Sequence, residues 1–128
     1  MSINTSYTIA IIEDDIAIVQ MYRMKFEADG YSVITAGDGQ AGLKLLSENT
    51  PDILLLDLMM PRMNGDEMLL ELRKTKHGKE LPTIVLTNMG ENEAPQTIQD
   101  DAMVMDFIVK ASMTPRDVAE KVADVLDA

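Results

Sequence analysis

Five short apolar runs, near residues 8–12, 31–36, 52–56, 83–86 and 106–109, alternate with longer stretches whose apolar residues recur at helical spacing. A strand covered on both faces reads as an unbroken apolar run, so this alternation predicts an α/β chain: five parallel strands joined by crossover helices. Ile9-Ala10-Ile11-Ile12, Ile53-Leu54-Leu55-Leu56 and Ile84-Val85-Leu86 belong in the middle of the sheet, whereas Tyr31-Ser32-Val33-Ile34-Thr35-Ala36 alternates like a flank strand. Right-handed crossovers leave few admissible arrangements, and the strand order 2-1-3-4-5 is favoured. The 128 residues fit one domain, 1–128, whose folding should remove about two-thirds of the unfolded chain's surface; no second domain is expected.

The first helix, about 15–29, carries Ile18, Met21, Tyr22 and Phe26 on one face and stops at Gly30, which tolerates the left-handed conformation. The second, about 38–47, uses Ala41, Leu45 and Leu46. A third begins after Asn64-Gly65, with Asp66 and Glu67 in its first turn and Met68, Leu69 and Leu72 buried. Lys74 to Glu80 reads as a solvated loop, with His77 inert in it. The segment from Gly90 to Asp101 offers little apolar surface beyond Ile98, so a fourth helix there is lightly anchored; any change of shape is expected between Thr87 and its end. The fifth starts at Thr114-Pro115-Arg116-Asp117, a cap residue, a proline at the first helical position and an acid three after the cap, and continues through Val118, Val122 and Leu126.

Four strand ends carry polar groups: Glu13-Asp14-Asp15, Asp57, Thr87 and Lys110. In this topology strands 1 and 3 are neighbours where the winding reverses, so Glu13, Asp14 and Asp57 meet, with Thr87 and Lys110 approaching from the other side. Like charges about 5 Å apart repel by roughly 3 kcal/mol at an effective dielectric near 20, so three carboxylates need a counter-charge or a proton. Hard oxygen donors without cysteine or paired histidine point to Mg²⁺. A carboxylate beside such a cation, a lysine and a hydroxyl can attack phosphorus, which implies an aspartyl phosphate. The formal net charge of -11 and pI near 4.3 repel phosphate backbones, so direct nucleic-acid binding is not expected. No apolar run approaches the roughly 18 residues of a membrane span, the polar start lacks a signal peptide's apolar core, and with no cysteine the expected home is cytoplasm.

Glu13-Asp14, Asp57, the turn Met60-Pro61-Arg62-Met63-Asn64-Gly65, Thr87, Phe107 and Lys110, in this order, resemble the response-regulator receiver domain of two-component signalling along essentially the whole chain. The resemblance implies a flavodoxin-like doubly wound fold with five helices. It implies that Asp57 accepts a phosphoryl group from a histidine kinase or histidine phosphotransfer protein. Asp14, Asp57 and the backbone carbonyl of Met59 would ligate Mg²⁺, with Glu13 reaching it through water. Thr87 and Lys110 would hold phosphoryl oxygens, and Phe107 would be the ring whose burial follows Thr87. Output would pass by protein contact through helix 4, strand 5 and helix 5, without an attached output domain, or through a phosphorylation-dependent homodimer. Asp15, one place past the usual pair, is assigned to starting the first helix.

Ordinary readings stand beside these: Phe107 as core, Lys110 as a solvated edge-strand cation, and Ile16 and Val19 either as a docking patch for the donor or as scattered surface aliphatics. Three positions depart from the family pattern. Ala111 stands where a proline, often cis, is usual, so the Lys110–Ala111 bond should be trans and the following loop rerouted. Asn88 and bulky Met59 flank the acceptor, crowd the line of water attack and imply a long-lived phosphorylated state. Two competitors remain, a Mg²⁺-dependent phosphohydrolase working through an aspartyl phosphate, which would want an acid at Met59, and a pseudo-receiver scaffold. Nucleotide or flavin binding lacks a glycine-rich loop after the first strand.

Overall fold

The computed structural model describes residues 7–88 and 93–127. Its sheet has five parallel strands, β1 (Thr8–Ile12), β2 (Ser32–Ala36), β3 (Ile53–Leu56), β4 (Thr83–Thr87) and β5 (Val104–Val109), in the order β2-β1-β3-β4-β5. β1 pairs with both β2 and β3 in simple register, Ile12 opposite Ala36 and Leu56, which aligns the carboxyl ends that precede Glu13 and Asp57. The β4–β5 pairing slips between Thr83 and Ile84 before running regularly to Thr87 opposite Val109.

Helices α1 (Ile16–Ala28), α2 (Gly39–Glu48), α3 (Gly65–Leu72), α4 (Gln96–Gln99) and α5 (Pro115–Leu126) join the strands. The two faces of the sheet carry separate apolar clusters. One gathers Ala10, Leu54, Leu56, Met68 and Leu72 under α2, α3 and α4. The other gathers Ile9, Ile11, Leu55, Phe26 and Val122 under α1 and α5. Side-chain caps explain most helix starts: Asp15 accepts from the backbone N–H of Ala17 and Ile18, Asp38 from Ala41, Asn64 from Glu67, and Thr114 with Asp117 closes a reciprocal capping box. Gly30 ends α1 with φ 96°, a conformation that suits a residue without Cβ.

Several expectations are corrected. Met21 is 42% exposed, because the core-facing stripe of α1 narrows to Tyr22 and Phe26 with Ile18 at its margin. On α2, Ala41 is exposed and Gly42 occupies the packed position, its missing side chain leaving room for Ile12 and Met68. The Lys74–Glu80 stretch is not simply solvated: it contains a 3-10 turn, Gly78–Glu80, with Gly78 buried, and His77 Nε2 lies 3.1 Å from the carbonyl of Pro51. Val19 packs partly against the α1/α5 cluster instead of standing clear of it. α4 is a single turn anchored by Ile98. Gly90, Glu91 and Asn92 of the segment assigned to it, and the polar start Met1–Ser6, lie outside the described residues.

Candidate functional site

Asp57 follows β3 directly, and its backbone N–H donates to the Ile12 carbonyl at 3.0 Å, so the strand pairing itself sets where its carboxylate emerges. Glu13 is fixed in the same way from the other side, donating to Ala36 at 3.0 Å. Gly65 is obligatory here, since a Cβ would stand 2.3 Å from the Asp57 carbonyl oxygen. Its absence lets the start of α3 close against the end of β3, with the Gly65 N–H donating to the Leu58 carbonyl at 2.9 Å. Between them Arg62 takes φ 67°, and its guanidinium reaches Asp38 at 3.0 Å, which ties the β3–α3 turn to the start of α2.

Glu13, Asp14 and Asp57 place carboxylate oxygens within 4.8 Å of one another. Glu13 and Asp57 are each 4% exposed and Asp14 is open to solvent. Lys110 reaches across β4 to bond Asp57 Oδ2 at 3.2 Å and pairs closely with Glu13 Oε1. The other Asp57 oxygen accepts from the Met59 N–H at 3.2 Å, and Glu13 Oε2 accepts from Asp15 at 3.1 Å. One ammonium cannot balance three carboxylates. Burial pushes Glu13 up to about 7; Lys110 and the Asp15 N–H oppose the rise, while Asp57 and Asp14 add to it. Burial alone would lower Lys110, but the bond to Glu13 and the charges of Asp57 and Glu13 hold it above the ordinary lysine value. A residual negative, oxygen-only pocket with one exposed acid fits a hard divalent cation that keeps part of its water.

Thr87 is fully buried at the end of β4. Phe107 is half-buried two residues before Val109, packs against the first cluster and lines a crevice of about 360 Å³ between α4 and β5 with Ile98, Asp101 and Val104. Met59 is 61% exposed two residues after Asp57, and Asn88 is exposed at the rim of a second crevice of about 270 Å³ that it shares with Ile18, Met21, Tyr22, Lys110 and Met113. Ile16, 72% exposed, lines a third opening with Val19 and the acids Glu13 and Asp14. No peptide bond among the described residues is cis, and the chain after β5 turns through a 3-10 segment, Lys110–Ser112, before Thr114 starts α5. That turn still delivers Lys110 to the acids. Two features were not anticipated: the closeness of Lys110 to Glu13, and Tyr22, whose core position gave no sign that it borders the site.

Residues 9–123 match the family model described as the response regulator receiver domain. Among curated proteins, the chain is 43% identical over 79 residues to response regulator MprA of a Mycobacterium species, covering 62% of this chain and 34% of that protein. It is 32% identical over 118 residues to the alkaline phosphatase synthesis transcriptional regulatory protein PhoP of Bacillus subtilis, covering 92% of this chain and 48% of the relative. The chain thus spans a third to a half of the length of these relatives. Among solved structures, chemotaxis response regulator CheY4 of Vibrio cholerae superposes with a TM-score of 0.84 at 26% identity, covering 93% of this chain and 98% of that one. Response regulator TrrA of Thermotoga maritima, solved in complex with Mg²⁺-BeF, gives 0.79 at 26% identity, covering 92% and 97%. With its strand order, its acidic pocket at the β1/β3 reversal and its match over residues 9–123, the chain belongs to the response regulator receiver domain family.

Proposed function

We propose that Asp57 accepts a phosphoryl group from a phosphohistidine donor, a sensor kinase or a histidine phosphotransfer protein. An Asp57 oxygen forms the new O–P bond as the donor's P–N bond breaks, and the released imidazole nitrogen takes a proton from solvent. The observation that carries the reading is the buried Asp57 carboxylate, bonded to Lys110 at 3.2 Å and gathered with Glu13 and Asp14. Asp14, Asp57 and the Met59 carbonyl would hold Mg²⁺, with Glu13 reaching it through water. When bound, the cation supplies positive charge against the phosphoryl oxygens. Lys110 and Thr87 take up the remaining phosphoryl oxygens. Moving Thr87 then changes the packing of Phe107, and the face built by α4, β5 and α5 shifts toward a form that a protein partner reads.

The net charge of -11 supports protein contact rather than direct nucleic-acid binding by this domain. No helix among the described residues is long and apolar enough to cross a membrane. The phosphohydrolase reading finds no support at the acceptor, where a general acid two residues on would be needed and Met59 stands. Intact-mass measurement after exposure to acetyl phosphate tests the proposal. The parent should gain one phosphoryl group only with Mg²⁺, and Asp57→Asn should gain none; a metal-independent gain, or a gain in the variant, would overturn it.

A further inference from the structure

The turn from Leu58 to Gly65, which carries Met59, lies outside the strand ladder and is held partly from elsewhere. Its far limb leans on the short link between β2 and α2, residues 36–39, and that link touches both sides of the acid pocket. On one side the Ala36 carbonyl accepts from the Glu13 N–H at 3.0 Å. On the other, the Gly39 N–H donates to the Met63 carbonyl at 3.1 Å, and Asp38 Oδ2 accepts from the Arg62 guanidinium at 3.0 Å. Asp38 uses its other oxygen to cap α2 through the Ala41 N–H at 2.8 Å, so the helix start and the turn share one carboxylate. Gly39 lets the two backbones meet. Its φ is not positive, but a Cβ there would stand 2.5 Å from the Met63 carbonyl oxygen. A flexible side chain could swing clear of such a Cβ, whereas a backbone carbonyl moves only with its turn. α2 is seated on the core at Gly42, where a Cβ would already meet Ile12 and Met68 at 3.0 Å, while Pro61 and Arg62 are exposed, so the turn is the partner with room to yield.

We propose that Asp38 and Gly39 are positioning residues of the cation site: they fix where the Met59 carbonyl stands relative to Asp14 and Asp57, and thereby favour Mg²⁺ over the larger Ca²⁺. The inference rests on the cation site of Asp14, Asp57 and the Met59 carbonyl. Mg²⁺ sites need near-ideal octahedral oxygens at about 2.0–2.1 Å, whereas Ca²⁺ sites tolerate a looser shell at about 2.3–2.6 Å. Ligands from separate stretches of chain meet the stricter demand only where the spacing between those stretches is fixed. The pairing of β1 with β3 sets the spacing of Asp14 from Asp57. No ladder does this for Met59, and the grip of α2 on the turn takes that part.

Titrating Mg²⁺ and Ca²⁺ into the metal-free protein, followed by calorimetry and by the rise in the urea midpoint, tests the proposal without phosphorylation. Gly39→Ala should weaken Mg²⁺ binding about tenfold, the scale on which groups that orient metal ligands act, and Ca²⁺ binding no more than about threefold. Asp38→Asn keeps an acceptor for the Ala41 N–H and loses the charge facing Arg62; it should weaken Mg²⁺ about threefold with little effect on Ca²⁺, and it decides the matter if Gly39→Ala does not fold. Gly37→Ala makes the same exchange where a Cβ would meet nothing within 4 Å, and both affinities should stay at the parent values. Parent affinities in Gly39→Ala and Asp38→Asn overturn the proposal. So does an equal loss for the two cations, which general loosening of the fold would give, or a loss in Gly37→Ala as large as that in Gly39→Ala. A parent that binds neither cation sinks the site itself, and the proposal with it; a parent that binds both, with variants that do not differ from it, sinks the proposal alone.

Discussion

β3 and β5 end at the same edge of one sheet, yet they are held very differently. Every residue of β3 is buried, with neighbours on both sides, and Asp57 is locked to β1 by its own backbone. β5 lies at the edge, buries only Ile108 of its six residues, pairs irregularly at its start, and faces a one-turn helix. Asp57 thus stands on the half that has least freedom, and Lys110 and Phe107, which would respond to a new charge on it, stand on the half that opens most easily. The sharpest way to break this contrast is to cut Lys110, which joins the halves at this edge. Lys110→Met should leave two buried carboxylates without their cation and destabilise the protein by about 3 kcal/mol at pH 8, read from urea unfolding. A loss under about 0.5 kcal/mol, within the usual range of surface substitutions, would mean that the halves are not coupled through this contact.

The burial of Glu13, which its contact with Lys110 only partly offsets, gives stability a pH dependence. Glu13 is raised to about 7 in the folded protein against 4.5 for the free group, so the folded state binds the proton more tightly. Its contribution is therefore fully present below about pH 4.5 and lost as pH rises through about 7. Between those values the metal-free protein should lose on the order of 2 kcal/mol, and Glu13→Gln should flatten that slope. Mg²⁺ should recover part of the loss above pH 7 by binding only the folded form. An unfolding curve whose midpoint rises steadily from pH 5 to 7.5 without metal would contradict this assignment.

At the opposite edge of the sheet the loose half has a second tether. Arg73, at the end of α3, bonds Asp101 Oδ2 at 2.9 Å, the Gly78 and Leu81 carbonyls at 2.7 and 2.9 Å, and Thr83 Oγ1 at 3.1 Å. It holds the entry to β4 and the turn after α4 together. Arg73→Lys keeps the charge but not the fork, and should cost about 1–2 kcal/mol. Its signature should be regional, with amide exchange faster over residues 93–104 and unchanged in β1 and β3. Uniform acceleration would show that α4 opens only with the whole domain.

The parts legible in advance were those with local causes. Unbroken apolar runs placed β1, β3 and β4 inside the sheet, and Thr114-Pro115-Arg116-Asp117 specified the start of α5 through a cap that closes within four residues. Helical periodicity located the core face of α1 but not its width, so Met21 was placed inside. On α2 the tight approach of Ile12 and Met68 selects Gly42 rather than Ala41, a packing fact that no repeat in the chain records. The pairing of Lys110 with Glu13 depends on a lysine reaching past two intervening strands, β4 and β3, and spacing along the chain carries no such information. That Tyr22 borders the acid site was hidden for the same reason, since its ring satisfies the helical pattern by itself.

The smallest expected effect concerns the surface of the rigid half. Met59 projects 61% exposed from the turn beside Asp57, and on the loose half Asn88 stands exposed near Lys110, so an acyl phosphate on Asp57 would be flanked from both sides. A thioether offers an attacking water neither a donor nor a strong acceptor and takes up the space it would cross. Met59→Asn supplies a side-chain amide that can orient that water, and loss of phosphate should quicken about fivefold, near the worth of one hydrogen bond in the barrier. Asn88→Ala removes bulk without adding a polar group and should quicken loss by no more than about twofold. Following phosphate release at constant Mg²⁺ separates the two. If neither variant differs from the parent, crowding by these side chains does not limit hydrolysis. If Asn88→Ala has the larger effect, control of the phosphorylated lifetime belongs to the β4–α4 side, and the division of labour between the halves is less complete than the burial of β3 implies.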